Sequence, residues 1–263
     1  MEMNLHTWTV SQFEIFLLIL MRVSPILFMM PLFNSRNIPP LLKIGLSLMV
    51  SFVLWPVVRV ETSLSPSDPL GFGFFLIGEL MIGFILGLSV RLLFSAIQMA
   101  GELVGFQMGF AMAKILDPQS GVDASLLSQF YYMVALLVFL SVDGHHWFFR
   151  ALTQSFHLLS PGALILREGL YRHILTLSGK MFVIAFKMVA PVMAILIFIQ
   201  IALAIVARMV PQINLLVSSF PLTIGLGLVF LGLSLDLLLP YLKGLFDEST
   251  QGLVTTLLPL MKR

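Results

Sequence analysis

The stretch QMAGELVGFQMGFAMAKILDPQSGVD, at residues 98–123, differs from the long apolar segments that make up most of this chain. Gly101, Gly105 and Gly109 recur at every fourth position, and Ala113 continues the series. On a helix this spacing places the small residues along one face, where another backbone can approach closely. The residues of this series are therefore predicted to lie on a tightly packed helix.

Bulky side chains and turn-forming residues accompany these glycines. The bulky, flexible side chains are Phe106, Met108, Phe110 and Met112. Asp117, Pro118 and Gly121 then favour a loop instead of a continued helix. One interpretation is an ordinary packed helix followed by an ordinary loop. The other is a mobile apolar segment, loosened by glycine, at a place where something must open and close.

The composition indicates a membrane protein. Of the 263 residues 59% are hydrophobic and only 11% are charged, and the mean hydropathy is +1.02. Soluble domains carry roughly 25% charged residues, so this chain cannot cover itself with polar surface. The formal net charge of +2 is too small to indicate a nucleic-acid partner. The chain has no cysteine, which excludes disulfides, thiol catalysis and thiolate metal sites.

Long apolar spans predict an all-α, polytopic membrane protein. Six spans are predicted at residues 13–33, 41–60, 70–97, 126–148, 181–207 and 213–239. Pro25, Pro191 and Pro221 lie within these spans, where each removes a backbone hydrogen bond and favours a kink. The short connection between the last two spans predicts a helical hairpin.

Neither a metal site nor a catalytic site is predicted. Asp143, His145 and His146 are residue types that bind metals. We expect adjacent histidines to point in different directions, however, and no second cluster completes a site, so a helix-ending turn is favoured. No catalytic motif surrounds any serine, and no phosphate-binding glycine motif occurs.

Charged residues within the apolar spans allow two interpretations. Arg22, Glu79, Arg91, Lys187 and Asp236 would be costly in hydrocarbon unless paired or hydrated. They could form an ion or proton path, or they could pair between helices, and we favour pairing. Lys187 and Asp236 lie at similar distances from the predicted hairpin turn, which predicts a buried ion pair between them.

Several motifs, in this order along the chain, resemble the FliR family, the flagellar member of the type III export-gate proteins. They are RVSPILFMMPLF (22–33), NIPPLLKIGLSL (37–48), QMAGELVGFQMGF (98–110), DPQSG (117–121), DGHH (143–146) and ARMVPQINLL (207–216). Ile213 stands where the family pattern has methionine. The resemblance covers essentially the whole chain, and the virulence injectisome counterparts are similar.

The resemblance implies a non-enzymatic subunit without cofactors. It would assemble with FliP and FliQ in the bacterial inner membrane, within the flagellar basal body, as a conduit for unfolded flagellar proteins. Residues 1–180 would be FliP-like and residues 181–263 a FliQ-like helical hairpin with its tail. Residues 105–123 would form a plug that closes the conduit. The residues expected to gate it are Gly105, Phe106, Met108, Gly109, Phe110, Met112, Asp117, Pro118 and Gly121. The alternatives are the injectisome counterpart and a proton-coupled secondary transporter.

Overall fold

The computed structural model confirms the predicted all-α fold. It describes residues 5–33, 38–58, 69–110, 126–160, 162, 164, 168–209 and 215–261. The helices are α1 (Leu5–Met29), α2 (Pro40–Leu54), α3 (Pro69–Met108), α4 (Leu126–Ser141), α5 (Gly144–Leu158), α6 (Glu168–Met209), α7 (Leu215–Gly252) and α8 (Leu258–Met261). A 3₁₀ turn at Pro31–Phe33 follows α1, and a π-helical turn at Leu253–Leu257 connects α7 to α8. Within these ranges there is no strand.

Among the described residues, fewer helices than predicted are long and apolar enough to cross a membrane. In the described residues, α1, α3, α6 and α7 are long and apolar enough to cross a membrane. The pair α4 and α5, bent by 68°, could form a fifth span. The prediction of six was wrong because α2 has only 15 residues. At 1.5 Å per residue it is too short for a hydrocarbon core of about 30 Å.

Proline and one strained residue explain several helix boundaries. Proline occupies the first position of α2 and of α3, where its missing N–H would have no helical partner in any case. Asp143 adopts a left-handed conformation with φ of 54°, and it separates α4 from α5. This is the helix-ending turn predicted at Asp143. The predicted mid-span prolines all lie inside helices: Pro25 in α1, Pro191 in α6 and Pro221 in α7.

The chain divides into two compact units that each collect distant segments. The first contains Met1–Leu92, Asp143–Leu177 and Asp247–Arg263, and the second contains Leu93–Val142 and Ser178–Phe246. The prediction that residues 1–180 are FliP-like and residues 181–263 FliQ-like concerns similarity to those two proteins. The division of the chain into compact units does not test that similarity, so it stays a prediction.

In the first unit, α1 packs against α2 and α3. The rings of Phe16 and Trp55 meet edge to face with centroids 5.9 Å apart. A Cβ atom at Gly83 would lie 2.3 Å from the carbonyl oxygen of Arg22, and one at Gly87 would lie 2.9 Å from Cβ of Met29. Only glycine permits so close an approach of two helices, so the small-residue face of α3 decides how α1 packs.

The second unit has an aromatic core and a second close approach at glycine. The Phe94 ring lies 5.6 Å from both Phe139 and Phe246, which are themselves 5.3 Å apart. A Cβ atom at Gly101 would lie 2.6 Å from the carbonyl oxygen of Leu127. The close backbone packing predicted from the glycine spacing is therefore confirmed at Gly101.

Candidate gating segment and buried charge centre

Helix α3 ends inside the stretch in which the sequence predicted a change from helix to loop. Its last residue is Met108, and Gly109 follows with φ of 92°. The N–H of Gly109 donates a hydrogen bond to the carbonyl of Phe106 at 3.0 Å. A glycine with positive φ just after a helix is a common terminator, because side chains are disfavoured in that conformation. Gly109 therefore defines the boundary between the helix and the segment after it.

Side chains from two other helices bind the last carbonyl groups of α3. The Gln200 amide on α6 donates to the backbone carbonyl of Gln107 at 3.1 Å. In return, the Gln107 side-chain amide donates to Oε1 of Gln200 at 3.0 Å. The Thr223 hydroxyl on α7 lies 3.3 Å from the Met108 carbonyl and 3.0 Å from the Ser219 carbonyl, so it shares one proton between them. These contacts satisfy carbonyls that a helix end leaves without helical partners.

Met108 anchors the same end of α3 by packing. Its side chain is 0% exposed, and a Cβ atom at Gly227 on α7 would lie 2.6 Å from Cε of Met108. Met108 therefore occupies space that exists because residue 227 is glycine. Phe106, by contrast, is 72% exposed. Two residues predicted together as gating residues thus lie in opposite environments.

The remaining predicted gating residues fall into two groups. Gly105 is buried in α3 and Phe110 is half-buried. Met112, Asp117, Pro118 and Gly121 lie outside the described residues. Of the predicted gating segment, residues 105–123, the structure therefore describes residues 105–110.

A buried charge centre forms where α1, α3 and α5 meet. Nε of Arg22 donates to the Glu79 carboxylate at 2.5 Å, and both side chains are 0% exposed. The other guanidinium nitrogens donate to Oγ of Ser155 at 3.3 Å and to the carbonyl of Leu159 at 3.1 Å. The guanidinium carbon lies 4.2 Å from the centroid of the Phe156 ring. The positive charge is therefore surrounded by acceptors and a ring face.

Glu79 is bound on its second oxygen as well. The N–H of Gly162 donates to Oε1 of Glu79 at 3.3 Å. A desolvated ion pair is tolerated when further hydrogen bonds satisfy both groups, and removal of one partner leaves an uncompensated charge. Pairing between helices, which we favoured over an ion path, is thus confirmed for Arg22 and Glu79. The sequence did not reveal that they pair with each other, because 57 positions separate them.

The predicted ion pair between Lys187 and Asp236 is not present. Both residues are exposed, and no ion pair joins them. Similar distances from a hairpin turn give similar heights along two helices, but they leave the rotation about each helix axis open. In the structure this rotation places both side chains on exposed faces of the chain. Arg91 is also exposed.

The Asp143–His146 turn brings together two histidines that we expected to diverge, with Asp143 close to both. The rings of His145 and His146 lie 4.1 Å apart, so the expectation that adjacent histidines point apart was wrong. Nδ1 of His146 lies 3.2 Å from Oδ1 of Asp143, and one ligand atom from each of the three residues lies within 4.8 Å of the others. The Asp143–His146 contact spans three positions at the start of α5, where it ties the first turn of the helix to the residue before it.

Sequence reasoning missed Gln200, Thr223 and Gly227 at the end of α3. A glutamine within an apolar span is a signal that could have drawn attention to Gln200, because an amide in hydrocarbon needs a partner. Thr223 and Gly227 carry no comparable signal. A threonine in a helix can bond to its own backbone, and an interior glycine reveals nothing about which side chain packs against it.

Comparisons with known proteins place the chain in a family. Residues 13–249 match the family described as bacterial export proteins, family 1. The chain is 34% identical to the flagellar biosynthetic protein FliR of Pectobacterium carotovorum over 227 residues, which is 86% of each chain. It is 33% identical to the FliR of Bacillus subtilis over 241 residues, 90% of this chain and 92% of that one. With the FliR of Escherichia coli the identity is 30% over 250 residues, 94% of this chain and 90% of that one. The chain therefore belongs to family 1 of the bacterial export proteins, the family of the flagellar biosynthetic protein FliR.

Proposed function

We propose that this chain is a core, non-enzymatic subunit of the flagellar type III protein export gate. It would form, with FliP- and FliQ-like subunits, the conduit through which unfolded flagellar proteins cross the inner membrane. The observation that carries this proposal is the family match over residues 13–249, together with relatives named for flagellar biosynthesis. Those names also favour the flagellar branch over its injectisome counterpart.

The exposed apolar faces of α6 and α7 support an assembly with other subunits. Only 17% of the spanning window in α6 and 28% of that in α7 is buried by this chain. Large side chains such as Phe198 and Leu233 remain exposed. Such surfaces must be covered by lipid or by other proteins. In this proposal residues 1–180 are FliP-like, residues 181–263 are FliQ-like, and partner helices cover much of these faces.

The segment that follows Gly109 is proposed to be the plug. Apolar groups at a constriction exclude water and ions without a rigid lid. Phe106, Phe110 and Met112 can fill an irregular opening and yield to an unfolded chain. Met108 has a different role in this proposal, since it is buried against α7 and anchors the base of the plug.

The proposed function is tested by assembly and by leakage. The chain is co-expressed with FliP- and FliQ-like partners, and the mass of the purified complex is determined. Deletion of Phe110 to Ser120 should leave this complex intact and should lower the membrane potential of cells that produce it. A stable monomer or homo-oligomer that binds neither partner would contradict the assembly role. A deletion complex that forms normally and leaks no more than wild type would contradict the plug role.

The proton-coupled transporter receives little support from the charged residues. Arg22 and Glu79 neutralise one another in a fully bonded centre. The other candidates for coupling, Arg91, Lys187 and Asp236, are exposed, and no ion pair joins Lys187 to Asp236. A transporter would also be stable without FliP- and FliQ-like partners, so the mass determination separates the two functions.

A further inference from the structure

We propose that Asp143, His145 and His146 bind a divalent transition-metal ion, with zinc as the ion to be tested first. The three residues lie at the start of α5, apart from the buried charge centre of Arg22 and Glu79. This inference goes beyond the proposed function, and its test does not depend on whether the chain forms an export gate.

The first step is the chemistry of the donor atoms. Imidazole nitrogen binds zinc, nickel and copper, whereas calcium and magnesium prefer sites made of oxygen. One donor atom from each of Asp143, His145 and His146 lies within 4.8 Å of the others. Two histidines and one carboxylate are a set that holds zinc in proteins and leaves a fourth position for water. The residue types therefore fit a transition metal.

The second step is the spacing of these atoms. Zinc lies about 2.0–2.2 Å from imidazole nitrogen and carboxylate oxygen, so two of its ligands in a tetrahedral arrangement are about 3.4 Å apart. Nδ1 of His146 and Oδ1 of Asp143 are 3.2 Å apart. The rings of His145 and His146 have centroids 4.1 Å apart and planes inclined by 36°. A small rotation of the His145 ring therefore completes the set.

The third step is the orientation of the Asp143 carboxylate. An aspartate just before a helix usually accepts a hydrogen bond from a backbone N–H of the first turn. Asp143 occupies this position before α5, yet its side chain makes no such bond. The carboxylate faces the imidazole of His146 instead. It is therefore free of a capping role, and a metal ion replaces the proton between the two side chains.

The fourth step is an unsatisfied nitrogen. Nδ1 of His145 is buried and has no hydrogen-bond partner among the residues that the structure describes. A buried polar atom without a partner is unfavourable, and a bound ion relieves the deficit. Coordination by this nitrogen therefore satisfies an atom that the turn itself leaves unsatisfied.

The backbone holds the donors in place before an ion binds. The N–H groups of His146 and Trp147 donate to the carbonyl of Asp143, at 2.9 Å and 3.4 Å. Asp143 keeps a left-handed conformation with φ of 54°, which aspartate and asparagine tolerate better than most residues. Because the ligands lie within four consecutive positions, closing this segment on an ion costs little conformational entropy.

Metal content tests the site directly. The whole chain is purified in mild detergent, in the assembly that it forms, with an affinity tag that contains no histidine, and is stripped by a chelator. Dialysis against zinc should load one ion per chain. Asp143→Asn, which suits the left-handed conformation, His145→Gln and His146→Gln should each weaken zinc binding at least about tenfold, since loss of a residue that only orients a ligand already costs that much. His157→Gln is the matched control, because His157 is an exposed histidine on the same helix.

Copper gives a spectroscopic signature of the same ligands. Divalent copper binds a given set of nitrogen and oxygen donors more tightly than zinc does. Its electron paramagnetic resonance spectrum is split by each coordinated imidazole nitrogen. Wild type and His157→Gln should show two such nitrogens, and His145→Gln and His146→Gln should show one each. A spectrum without nitrogen splitting, or one that neither histidine variant changes, would overturn the inference.

A measurement on the unaltered chain keeps the inference testable if the variants fail to fold. Diethyl pyrocarbonate modifies free imidazole nitrogens, and mass spectrometry gives the rate at each histidine. Zinc at ten times its dissociation constant should slow the modification of His146 about tenfold and leave His157 unchanged, because only about a tenth of the sites are then empty. Equal rates at His146 with and without zinc would show that this turn is only the start of α5.

Discussion

Helices α3 and α6 are comparable in length and in apolar character, yet they have different relations to the rest of the chain. The apolar span has 39 residues in α3 and 42 residues in α6, yet 56% of an 18-residue window is buried in α3 and only 17% of one is buried in α6. In α3, Gly83 and Gly101 admit the backbones of other segments at distances that no side chain permits. In α6, Gly179 has no atom of another segment within 4 Å of the position its Cβ would take.

This difference shows that hydropathy does not reveal what an apolar helix packs against. Helix α3 makes polar contacts with three other helices of its own chain. Its Glu79 pairs with Arg22 of α1, and the carbonyl groups at its end accept hydrogen bonds from Gln200 of α6 and Thr223 of α7. Helix α6 contributes the two hydrogen bonds of Gln200 to that end and otherwise leaves most of its surface exposed. Changes in α3 should therefore affect the stability of the chain, and changes in α6 should affect its association.

Removal of the buried carboxylate in α3 should have the largest effect. Glu79→Leu leaves the guanidinium of Arg22 desolvated without its counter-charge, which costs about 3–5 kcal/mol. The measured quantity is the temperature at which the purified complex denatures in mild detergent. Adding Arg22→Met should recover part of the loss, because no buried charge then remains.

Lys187→Met in α6 is the matched control for charge removal. Lys187 is exposed, so its replacement should change stability by no more than about 0.5 kcal/mol. Equal losses of stability in Glu79→Leu and Lys187→Met would contradict the contrast between the two helices.

Truncation of an apolar side chain should have an intermediate effect that differs in kind between the helices. Ile82 is 0% exposed in α3, so Ile82→Ala should open a cavity and destabilise the chain by roughly 2 kcal/mol. Phe198 is 71% exposed in α6, so Phe198→Ala should leave the chain stable but reduce the amount of partner subunit that co-purifies with it. Loss of chain stability with unchanged partner recovery in Phe198→Ala would show that α6 packs within its own chain.

Addition of a single methyl group should have effects of opposite sign in the two helices. Gly83→Ala places a Cβ atom against the carbonyl of Arg22 and forces α1 away, at a cost of about 1–3 kcal/mol. Gly179→Ala meets no such contact and should stabilise α6 by about 0.5–1 kcal/mol, because alanine favours the helix. Denaturation temperatures of the two variants measure both signs, and destabilisation by Gly179→Ala would reveal a close neighbour at α6.

The fold class follows from short-range patterns. Long apolar runs predicted helices because hydrogen-bonded backbone is obligatory in lipid. The repeated glycines predicted close packing, found at Gly101. The same series predicted a helix as far as Ala113, whereas α3 ends at Met108 and Gly109 follows with φ of 92°. The number of spans was overestimated because composition alone continued α2 beyond Leu54.

The prediction of an ion pair between Lys187 and Asp236 was wrong because sequence spacing does not give the rotation of each helix about its axis. Equal heights made Lys187 and Asp236 plausible partners, but rotation about the helix axes leaves both exposed. The pair that does form, Arg22 with Glu79, links helices whose relative rotation depends on the contact between Gly83 and the Arg22 backbone. No pattern within either helix specifies that contact.

The sequence by itself therefore determined that the chain is helical and that it belongs to a membrane. These properties depend on residue types within a few turns of one another. Only the tertiary structure decided that Glu79 neutralises Arg22, that Gln200 and Thr223 cap α3, and that Met108 packs beside Gly227. Such contacts join positions far apart in the chain, and they depend on the rotation and approach of whole helices, which local residue patterns leave free.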